Sequence, residues 1–449
     1  MKSKVFKIAL LILVAGPAPT AVCSAQPSEP YRLTLQDAIQ KALQANLNVL
    51  VASTRVDEDN GARERSMAAA LLPRVNAQTY ANYQNRNLRA FGISVPGLPL
   101  PNVVGPFSNY DFRIYAQQNV IDLASYRTFK ASELAVNAGK LDERDARDLI
   151  VRSVAAIYLQ AQSAAAHVEA AQSRVTDSNR LLKLAQDKHD AGTATGVDVL
   201  RAQVQLANDN QALLVAQKDF KLSLLSLARN LGLNPGTPVE LAETLSYKVL
   251  PQAQAASLLP AALKSRADYL SLVTQRQGLA EQQRASRARF YPKLSLNGNI
   301  GELGRSIGSV QTTGLIQGQI DFTVFDRDRD GEAEQLASRM KRIDDQIADL
   351  ERGVDEDIRE ALLNLDSAAQ QVTVAEQGRK LAQKELALSQ DRFQAGTANN
   401  VEVITAQDEL ARADENYIVA VTGHVDAKCA LARALGDTEK NILEFMGNP

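Results

Sequence analysis

The chain has 449 residues, a formal net charge of −2, no tryptophan and only 5% aromatic residues. A charge this close to zero gives no electrostatic basis for a nucleic-acid partner, and a compact core of this length normally contains more large rings. The composition therefore argues against a nucleic-acid-binding protein and favours long helices packed side by side.

The N-terminal residues 1–25 predict a cleaved signal peptide. Lys2, Lys4 and Lys7 precede the apolar run IALLILVA at 8–15, and the small-residue sequence CSA precedes Gln26. Cys23 raises the alternative of a lipoprotein, but Val22 occupies the place where a small residue normally precedes a lipidated cysteine. We therefore expect export, cleavage near Gln26 and no lipidation at Cys23.

After the signal peptide, residues 26–240 predict one structural unit. Its elements are a helix at about 35–71, strands at 75–86 and 110–121, a long helix at about 122–191, a tip at 191–197 and a return helix. Both strands alternate apolar and polar residues with period two, and the Pro- and Gly-rich segment 88–109 between them is predicted to be a loop. The long helix contains no proline and would span roughly 105 Å.

Residues 241–449 predict a second unit with the same order of elements. These are a helix at about 258–289, strands at 294–301 and 314–325, a long helix at about 326–395, a tip at 395–401 and a return helix. In each unit the first helix and the return helix together match the length of the long helix. We therefore expect the two shorter helices to stack end to end along it, with the strands at one end and the tip at the other.

The two tips carry the closest similarity between the units. QDKHDAGTATGVDVLRAQ (186–203) and QDRFQAGTANNVEVITAQ (390–407) lie 204 positions apart. Ten of the nineteen positions agree between 185–203 and 389–407, where chance would give about one. The helix-ending motifs LARNLG and LARALG keep the same offset. The chain is therefore a tandem duplication, and one structural account must serve both halves.

The return helices repeat an apolar residue at every seventh position. Heptad spacing imposes left-handed supercoiling and predicts that these helices pack along their neighbours as coiled coils. The repeated residues are Val199, Leu206, Leu213, Phe220 and Leu227 in the first unit, and Val403, Leu410, Tyr417, His424 and Leu431 in the second.

Four amphipathic strands of about ten residues have the length of outer-membrane barrel strands. Four strands cannot close a barrel, and open strand edges are not tolerated in lipid, so a barrel would have to be shared between chains. Two chains would supply eight strands, whose interior is filled by side chains, and three would supply twelve, which can leave a pore. The alternative is a water-exposed four-stranded sheet.

The duplicated tip phrase, the LARxLG helix ends and the strand pairs after LLP (71–73) and FYP (290–292) carry a family resemblance. On these motifs, nearly the whole mature chain resembles the TolC-type outer-membrane efflux proteins, also called outer membrane factors. The resemblance implies a mainly α fold with a membrane β-barrel portion. It also implies a homotrimer with a twelve-stranded barrel in outer-membrane lipid and an α-helical tunnel across the periplasm.

The resemblance implies a function as well. Such proteins are passive exit ducts of tripartite efflux pumps or type I secretion systems, working with a periplasmic adaptor and an inner-membrane transporter. The alternative function is a periplasmic coiled-coil adaptor or scaffold without a channel. An adaptor, however, has no need for amphipathic strands of membrane-spanning length.

The tip phrase predicts a helix–turn–helix. Its residues have local roles: two glycines with positive φ end the long helices, two threonines cap backbone groups, and two carboxylates favour the positive ends of the return helices. These residues are Gly192, Thr193 and Asp198 in the first tip, and Gly396, Thr397 and Glu402 in the second.

The resemblance adds a functional role to the same residues. It implies that the tips form the closed periplasmic entrance and that the adaptor contacts the turns, here Gly192, Thr193, Gly396 and Thr397. Acidic residues of the inner tips narrow the pore and favour cations. The second tip is implied to lie nearer the axis, so Glu402 is the first candidate for the constriction and Asp198 the second.

No motif points to catalysis or to a cofactor. The segment DRDRDGEAEQLA (326–337) imitates a calcium loop, but Ala337 occupies the position where the loop needs a glutamate. The three histidines lack metal-ligand spacing, and no nucleophile–base arrangement or phosphate loop is present. Cys429 lies in the apolar-rich stretch AKCALARAL and is predicted to be a buried structural thiol. We therefore expect neither an enzyme nor a metal site.

Overall fold

The computed structural model describes residues 31–88, 90, 92, 101–234, 236–250 and 255–446. The predicted signal peptide, with Cys23, lies outside the described residues. Within them, the first half contains β1 (Tyr31–Leu33), α1 (Leu35–Ala45), α2 (Leu47–Leu71), β2 (Arg74–Asn87), β3 (Val103–Ile121), α3 (Leu123–Asp190) and α4 (Gly196–Asn230). The second half contains β4 (Val239–Leu241), α5 (Ala255–Ser265), α6 (Ala267–Ala288), β5 (Lys293–Gly304), β6 (Gln311–Asp321), α7 (Arg327–Gln394), α8 (Asn400–Leu435) and α9 (Thr438–Met446).

The long helices α3 and α7 have 68 residues each, which corresponds to about 100 Å. They begin and end within one residue of the predicted positions, because local signals in the sequence set both ends. Asp122 and Asp326 are N-caps, whose carboxylates accept the N–H groups of Ser125 and Arg329 at 3.0 and 3.3 Å. No helix among the described residues combines the length and the apolar character needed to cross a membrane.

Each of the helices predicted at 35–71 and 258–289 is in fact interrupted. Asn46 is extended between α1 and α2, and its Oδ1 accepts the N–H of Asn48 at 2.9 Å, which starts a new helix. Arg266 is likewise extended between α5 and α6, but its side chain does not cap α6. Its buried guanidinium donates to Asp268 at 2.7 Å and to Asp357 of α7 at 2.8 Å.

The strands β2, β3, β5 and β6 form one antiparallel sheet in that order. β3 begins at Val103, so part of the segment predicted as the loop 88–109 is strand. This part pairs only with β2, since β5 pairs with β3 from Tyr110 onward, and Pro106 is tolerated because its strand has a free edge there. β6 covers Gln311–Asp321 instead of 314–325, because β5 offers no partner beyond the pair Lys293–Asp321.

One face of this sheet is mainly apolar and the other mainly polar. Val75, Ile114, Ile300 and Ile316 lie on the apolar face, with exposed fractions of 61, 51, 63 and 84%. The opposite face carries cross-strand sets such as Asn76, Tyr115 and Asn299. An apolar sheet face left this exposed requires a nonaqueous neighbour.

The helices pack in succession, each long helix carrying two shorter ones. Near the tips the order is α4, α3, α8, α7, and nearer the sheet it is α2, α3, α6, α7. α1 continues from α2 along α3, as α5 does from α6 along α7. The outermost helices are therefore α2 and α4 on one side and α7 on the other.

The largest apolar cluster lies halfway along the helices. Tyr158 of α3 is fully buried there, and its hydroxyl donates to the carbonyl of Leu33 in β1 at 3.1 Å. β1 pairs in parallel with β4, and α9 packs on α8, so the first and the last described elements meet at this level. The sequence did not predict these three short elements. β1 and β4 have three residues each, too few for a periodicity to be detected, and the nine residues of α9 form fewer than three helical turns.

Two side chains from the sequence analysis are buried near this level. Cys429 is a free thiol with 1% exposure, and burial raises its pKa to about 11. His424 is also 1% exposed, and its ring meets the ring of Tyr247 edge-on with 4.7 Å between the centroids. Burial, with a smaller contribution from the positive charge of Lys428, lowers the pKa of His424 to about 4.

Candidate functional site

The two tips have the same backbone geometry. Gly192 and Gly396 have φ values of +75° and +76°, in the left-handed region that a residue with a Cβ rarely adopts. Apart from the glycine and its two chain neighbours, no residue has an atom within 4 Å of the place where a Cβ would stand at either position. Backbone conformation, and not lack of space, is therefore what requires glycine at these two positions.

The threonine after each glycine completes the end of the long helix. In the first tip, the N–H and the hydroxyl of Thr193 both donate to the carbonyl of Lys188, at 2.8 and 3.0 Å. In the second, the same groups of Thr397 donate to the carbonyl of Arg392, at 2.9 and 3.2 Å. Each threonine thus satisfies a helix C-terminal carbonyl that would otherwise have no intrahelical donor.

The return helices begin at side-chain caps that differ between the tips. Thr195 and Asp198 form a reciprocal capping box: the hydroxyl accepts from Asp198 N–H at 3.3 Å, and the carboxylate accepts from Thr195 N–H at 3.0 Å. The carboxylate also accepts a hydrogen bond from the Thr195 hydroxyl at 2.7 Å, and this bond is the main cause that lowers the pKa of Asp198. In the second tip, Asn399 caps the helix and accepts from Glu402 N–H at 3.2 Å.

The carboxylate of Glu402 has a different partner from that of Asp198. Its Oε1 lies 2.7 Å from Nη1 of Arg392, which stands in the last turn of α7 on the other side of the tip. Both side chains keep contact with solvent, with exposed fractions of 36% for Glu402 and 56% for Arg392. The second tip therefore presents an accessible ion pair, whereas the carboxylate of Asp198, 16% exposed, is held against its own helix.

The two tips are also joined to each other. Asn400 is fully buried, and its amide donates to the backbone carbonyl of Asp198 at 2.7 Å. Phe393 is buried in the apolar cluster beneath the tips, and the ammonium of Lys188 lies 5.4 Å from the centroid of its ring. The remaining buried members of the cluster are Leu181, Ala185, Ala202, Leu386, Val403 and Ala406.

The six residues singled out in the sequence therefore lie together at one end of the molecule, but the contacts between the tips were not predicted. Thr195, Arg392, Asn399 and Asn400 were missed. A signal was available for the two N-caps, because Thr195 and Asn399 stand three residues before the carboxylates Asp198 and Glu402, which is the spacing of a capping box.

The two tips together form a pair of turns that carry charged and hydrogen-bonded side chains. Among the described residues there is no group of histidine, cysteine or carboxylate side chains that could hold a metal ion. Asp326, the first residue of the calcium-loop imitation, is used as the N-cap of α7. The tips can present a carboxylate, a guanidinium and exposed backbone to a partner or to a passing ion.

A sequence profile for outer membrane efflux proteins matches residues 38–233 and 258–437, which include both long helices, both tips and the whole sheet. The chain belongs to this family. The match to both units makes it an outer membrane efflux protein and not a periplasmic adaptor, the alternative considered from the sequence.

Individual relatives of this efflux protein are distant. It is 23% identical to the pyoverdine export outer membrane protein OpmQ of Pseudomonas aeruginosa, over 90% of this chain and 85% of the relative. It is 24% identical to the probable efflux pump outer membrane protein TtgC of Pseudomonas putida, over 90% and 82%. The solved structure of the outer membrane protein VceC of Vibrio cholerae shares its fold, with a TM-score of 0.72 at 19% identity, over 90% of this chain and 96% of that one.

Proposed function

We propose that three copies of this efflux protein close edge to edge into a passive exit duct across the outer membrane. The sheets would form a twelve-stranded barrel in lipid, and the helices would form a tunnel in the periplasm. The observation that carries this proposal is that the chain has two edges without a partner. Each edge consists of an outer strand with unpaired backbone groups and an outer helix with an exposed apolar stripe, and the two edges differ from each other.

The first part of each edge is a strand. Within the described residues, β2 pairs only with β3, and β6 pairs only with β5. Both outer strands therefore leave backbone donors and acceptors unpaired, and these cost several kcal/mol each in hydrocarbon. Pairing β6 of one copy with β2 of the next would satisfy them, and the apolar face would then meet lipid.

The second part of each edge is a helix with an exposed apolar stripe. Leu200, Val204, Leu214 and Leu225 of α4 are between 47 and 61% exposed. On the opposite edge, Leu363, Val374, Leu381 and Leu388 of α7 are between 64 and 72% exposed, and the last three are spaced by seven. Both stripes have the composition of a coiled-coil seam, and neither has a partner helix among the described residues.

Because the two edges differ, copies must associate head to tail, which gives a ring when the rotation closes. Two copies would supply eight strands, a number whose interior is filled by side chains, whereas three supply twelve and leave a passage. Three copies therefore fit an efflux protein better than two. The chain has no nucleotide site among its described residues, so we assign the energy source to an inner-membrane transporter coupled through a periplasmic adaptor.

The tips take the role of the periplasmic entrance in this proposal. The turns at Gly192, Thr193, Gly396 and Thr397 would contact the adaptor, since they are the exposed end of the tunnel. Glu402 would face the passage together with Arg392. Asp198 is a weaker candidate for the constriction because its carboxylate is committed to the capping box.

The experiment joins the two helical edges covalently. Leu214 lies eighteen residues after the start of α4, and Val374 lies twenty residues before the end of α7, so both stand at nearly the same height above the tips. In the double variant Leu214→Cys and Val374→Cys, mild oxidation is expected to give disulfide-linked species up to a trimer on denaturing gels. Each single variant serves as the matched control and should give no ladder.

Planar-bilayer recording of the purified protein completes the test. Stable single channels together with a trimer by native mass spectrometry would support the duct. A monomer that stays soluble without detergent and conducts nothing would refute it. The intact mass of the mature protein also tests the predicted start near Gln26 and the absence of a lipid on Cys23.

A further inference from the structure

We propose that the cavity between the sheet and the helices is a binding site for an amphiphilic organic anion, such as an aromatic carboxylate or sulfonate on its way out. This inference rests on the proposed duct. It adds to it a class of substrate and the two residues, Arg65 and Arg74, that would recognise the charge.

The cavity is an open concavity with a volume of about 930 Å³. It lies between the end of α2, the beginnings of β2 and β5, and the first turns of α3. Drug-sized ligands occupy pockets of roughly 300–1,000 Å³, so one such molecule fits.

Two of the three basic side chains in the cavity wall are free to bind an anion. Neither Arg65 nor Arg74 forms an ion pair within the described part of the chain. Lys293 is different, because its ammonium lies 3.3 Å from Oδ2 of Asp122, and Asp321 stands opposite it in the strand register. The Asp122 carboxylate therefore neutralises the lysine, and the two guanidinium groups remain available.

The strand register puts the cavity on the polar side of the sheet. Arg74 stands opposite Gln117 and alternates along β2 with Val75, which belongs to the apolar face. In a membrane barrel the polar face lines the interior. The cavity would therefore open into the passage of the duct, at the level where the barrel joins the tunnel, and three copies would surround that level.

The wall also decides which anion fits. A guanidinium binds carboxylate, sulfonate or phosphate through two parallel hydrogen bonds, which favours planar or tetrahedral oxyanions over halide ions. Ala69, Leu72 and Pro73 supply an apolar wall beside the arginines. An inorganic anion would leave this apolar wall in contact with water, whereas an aromatic or aliphatic body would cover it.

The test is block of the open channel in planar bilayers by naphthalene-1-sulfonate, with 1-naphthylmethylammonium as a cation of similar size and shape. The variant Arg65→Gln with Arg74→Gln removes both guanidinium groups. Arg65→Lys with Arg74→Lys keeps the charge but not the paired hydrogen bonds. Arg55→Gln with Arg63→Gln removes two positive charges from α2 outside the cavity and is the matched control.

We expect the sulfonate to block the unmodified channel, and the half-blocking concentration to rise about tenfold or more when both arginines become glutamine. The lysine pair should show an intermediate rise, the control no rise, and the cation no block at these concentrations. Equal block in the glutamine variant, or equal block by both probes, would overturn the site. Conductance without any probe tests the duct itself. A failure of the duct would appear as no conductance, whereas a failure of the site would appear as a conducting channel whose block does not depend on the two arginines.

Discussion

Removing the carboxylate of Glu402 is expected to make the proposed channel less selective for cations, because it leaves Arg392 without its partner. In the unmodified chain the two groups are 2.7 Å apart and their charges nearly cancel. Glu402→Gln therefore adds one net positive charge per chain at the second tip. Arg392→Gln adds one net negative charge, and the variant carrying both changes should return close to the original selectivity.

The size of the effect follows from Coulomb's law. One unit charge acts on an ion about 10 Å away in water with about 0.4 kcal/mol, so three copies give about 1.2 kcal/mol before screening. Salt at 0.1 M has a Debye length of about 10 Å and reduces this to about 0.5 kcal/mol for each ion. The cation permeability then falls roughly twofold and the anion permeability rises by the same factor, so the cation-to-anion permeability ratio falls roughly fivefold. At 0.01 M the Debye length is about 30 Å, and the fall in this ratio should reach roughly twentyfold.

The assay is the reversal potential under a salt gradient, recorded in planar bilayers for the three variants at both ionic strengths. Glu376→Gln is the matched control, since it also exposes a cation, Lys380, paired at 2.6 Å. Glu376 stands eighteen residues before the end of α7, about 27 Å from the tip, where screening removes most of the effect.

The signs of the two selectivity shifts decide whether the ion pair faces the passage. Shifts of opposite sign for Glu402→Gln and Arg392→Gln, with recovery in the combined variant, would support an ion pair that faces the passage. Unchanged selectivity in both single variants, or a shift as large in Glu376→Gln, would remove Glu402 from the constriction. Loss of conductance in all variants would instead indicate that the pair holds the tip together.

Three further changes test the tips and the buried groups. Gly396→Ala is expected to cost about 1 kcal/mol at the left-handed position and to speed hydrogen exchange of the neighbouring tip amides about fivefold; Gly353→Ala, inside α7, should not. His424, whose pKa falls to about 4 from 6.5, stabilises the fold above pH 6.5 and loses this contribution as the pH falls towards 4. Acidification from pH 6.5 to 5 should therefore destabilise the unmodified fold by up to about 2 kcal/mol through this histidine. His424→Phe should remove this contribution, so its melting temperature should fall less over the same pH range. Cys429 should resist maleimide in the folded protein even at pH 9, because the thiol is buried and its pKa is about 11, and should react after denaturation; rapid labelling of folded protein would contradict this.

The sequence predicts most accurately the parts of the fold that short-range signals determine. The long helices start at aspartate caps and end at glycines with positive φ, and all of these signals lie within a few residues of the helix ends. The interruption at Arg266 could not be predicted in this way. Its guanidinium binds Asp357, which lies 91 residues away in sequence, so the break depends on tertiary structure.

The same distinction applies to the tips. Gly192 and Gly396 were identified because their backbone conformation is a local property. The partner of Glu402 was not identified, since Arg392 stands ten residues earlier and on the other helix of the tip. The contact of Asn400 with Asp198 crosses 202 residues and joins the two copies, which no pattern within one copy can indicate.

The two duplicated tips share one backbone geometry, but their carboxylates have different partners. Asp198 and Glu402 occupy equivalent positions, but the aspartate carboxylate closes the capping box with the N–H of its own N-cap, and that bond holds it against the helix. The glutamate has one more methylene, its N-cap is an asparagine, and its carboxylate reaches across the turn to Arg392. A carboxylate in a capping box contributes to the fold, whereas one in an exposed ion pair contributes little stability and can be exchanged for another partner. Of these two equivalent carboxylates, only that of Glu402 can therefore exchange its partner without breaking a capping box.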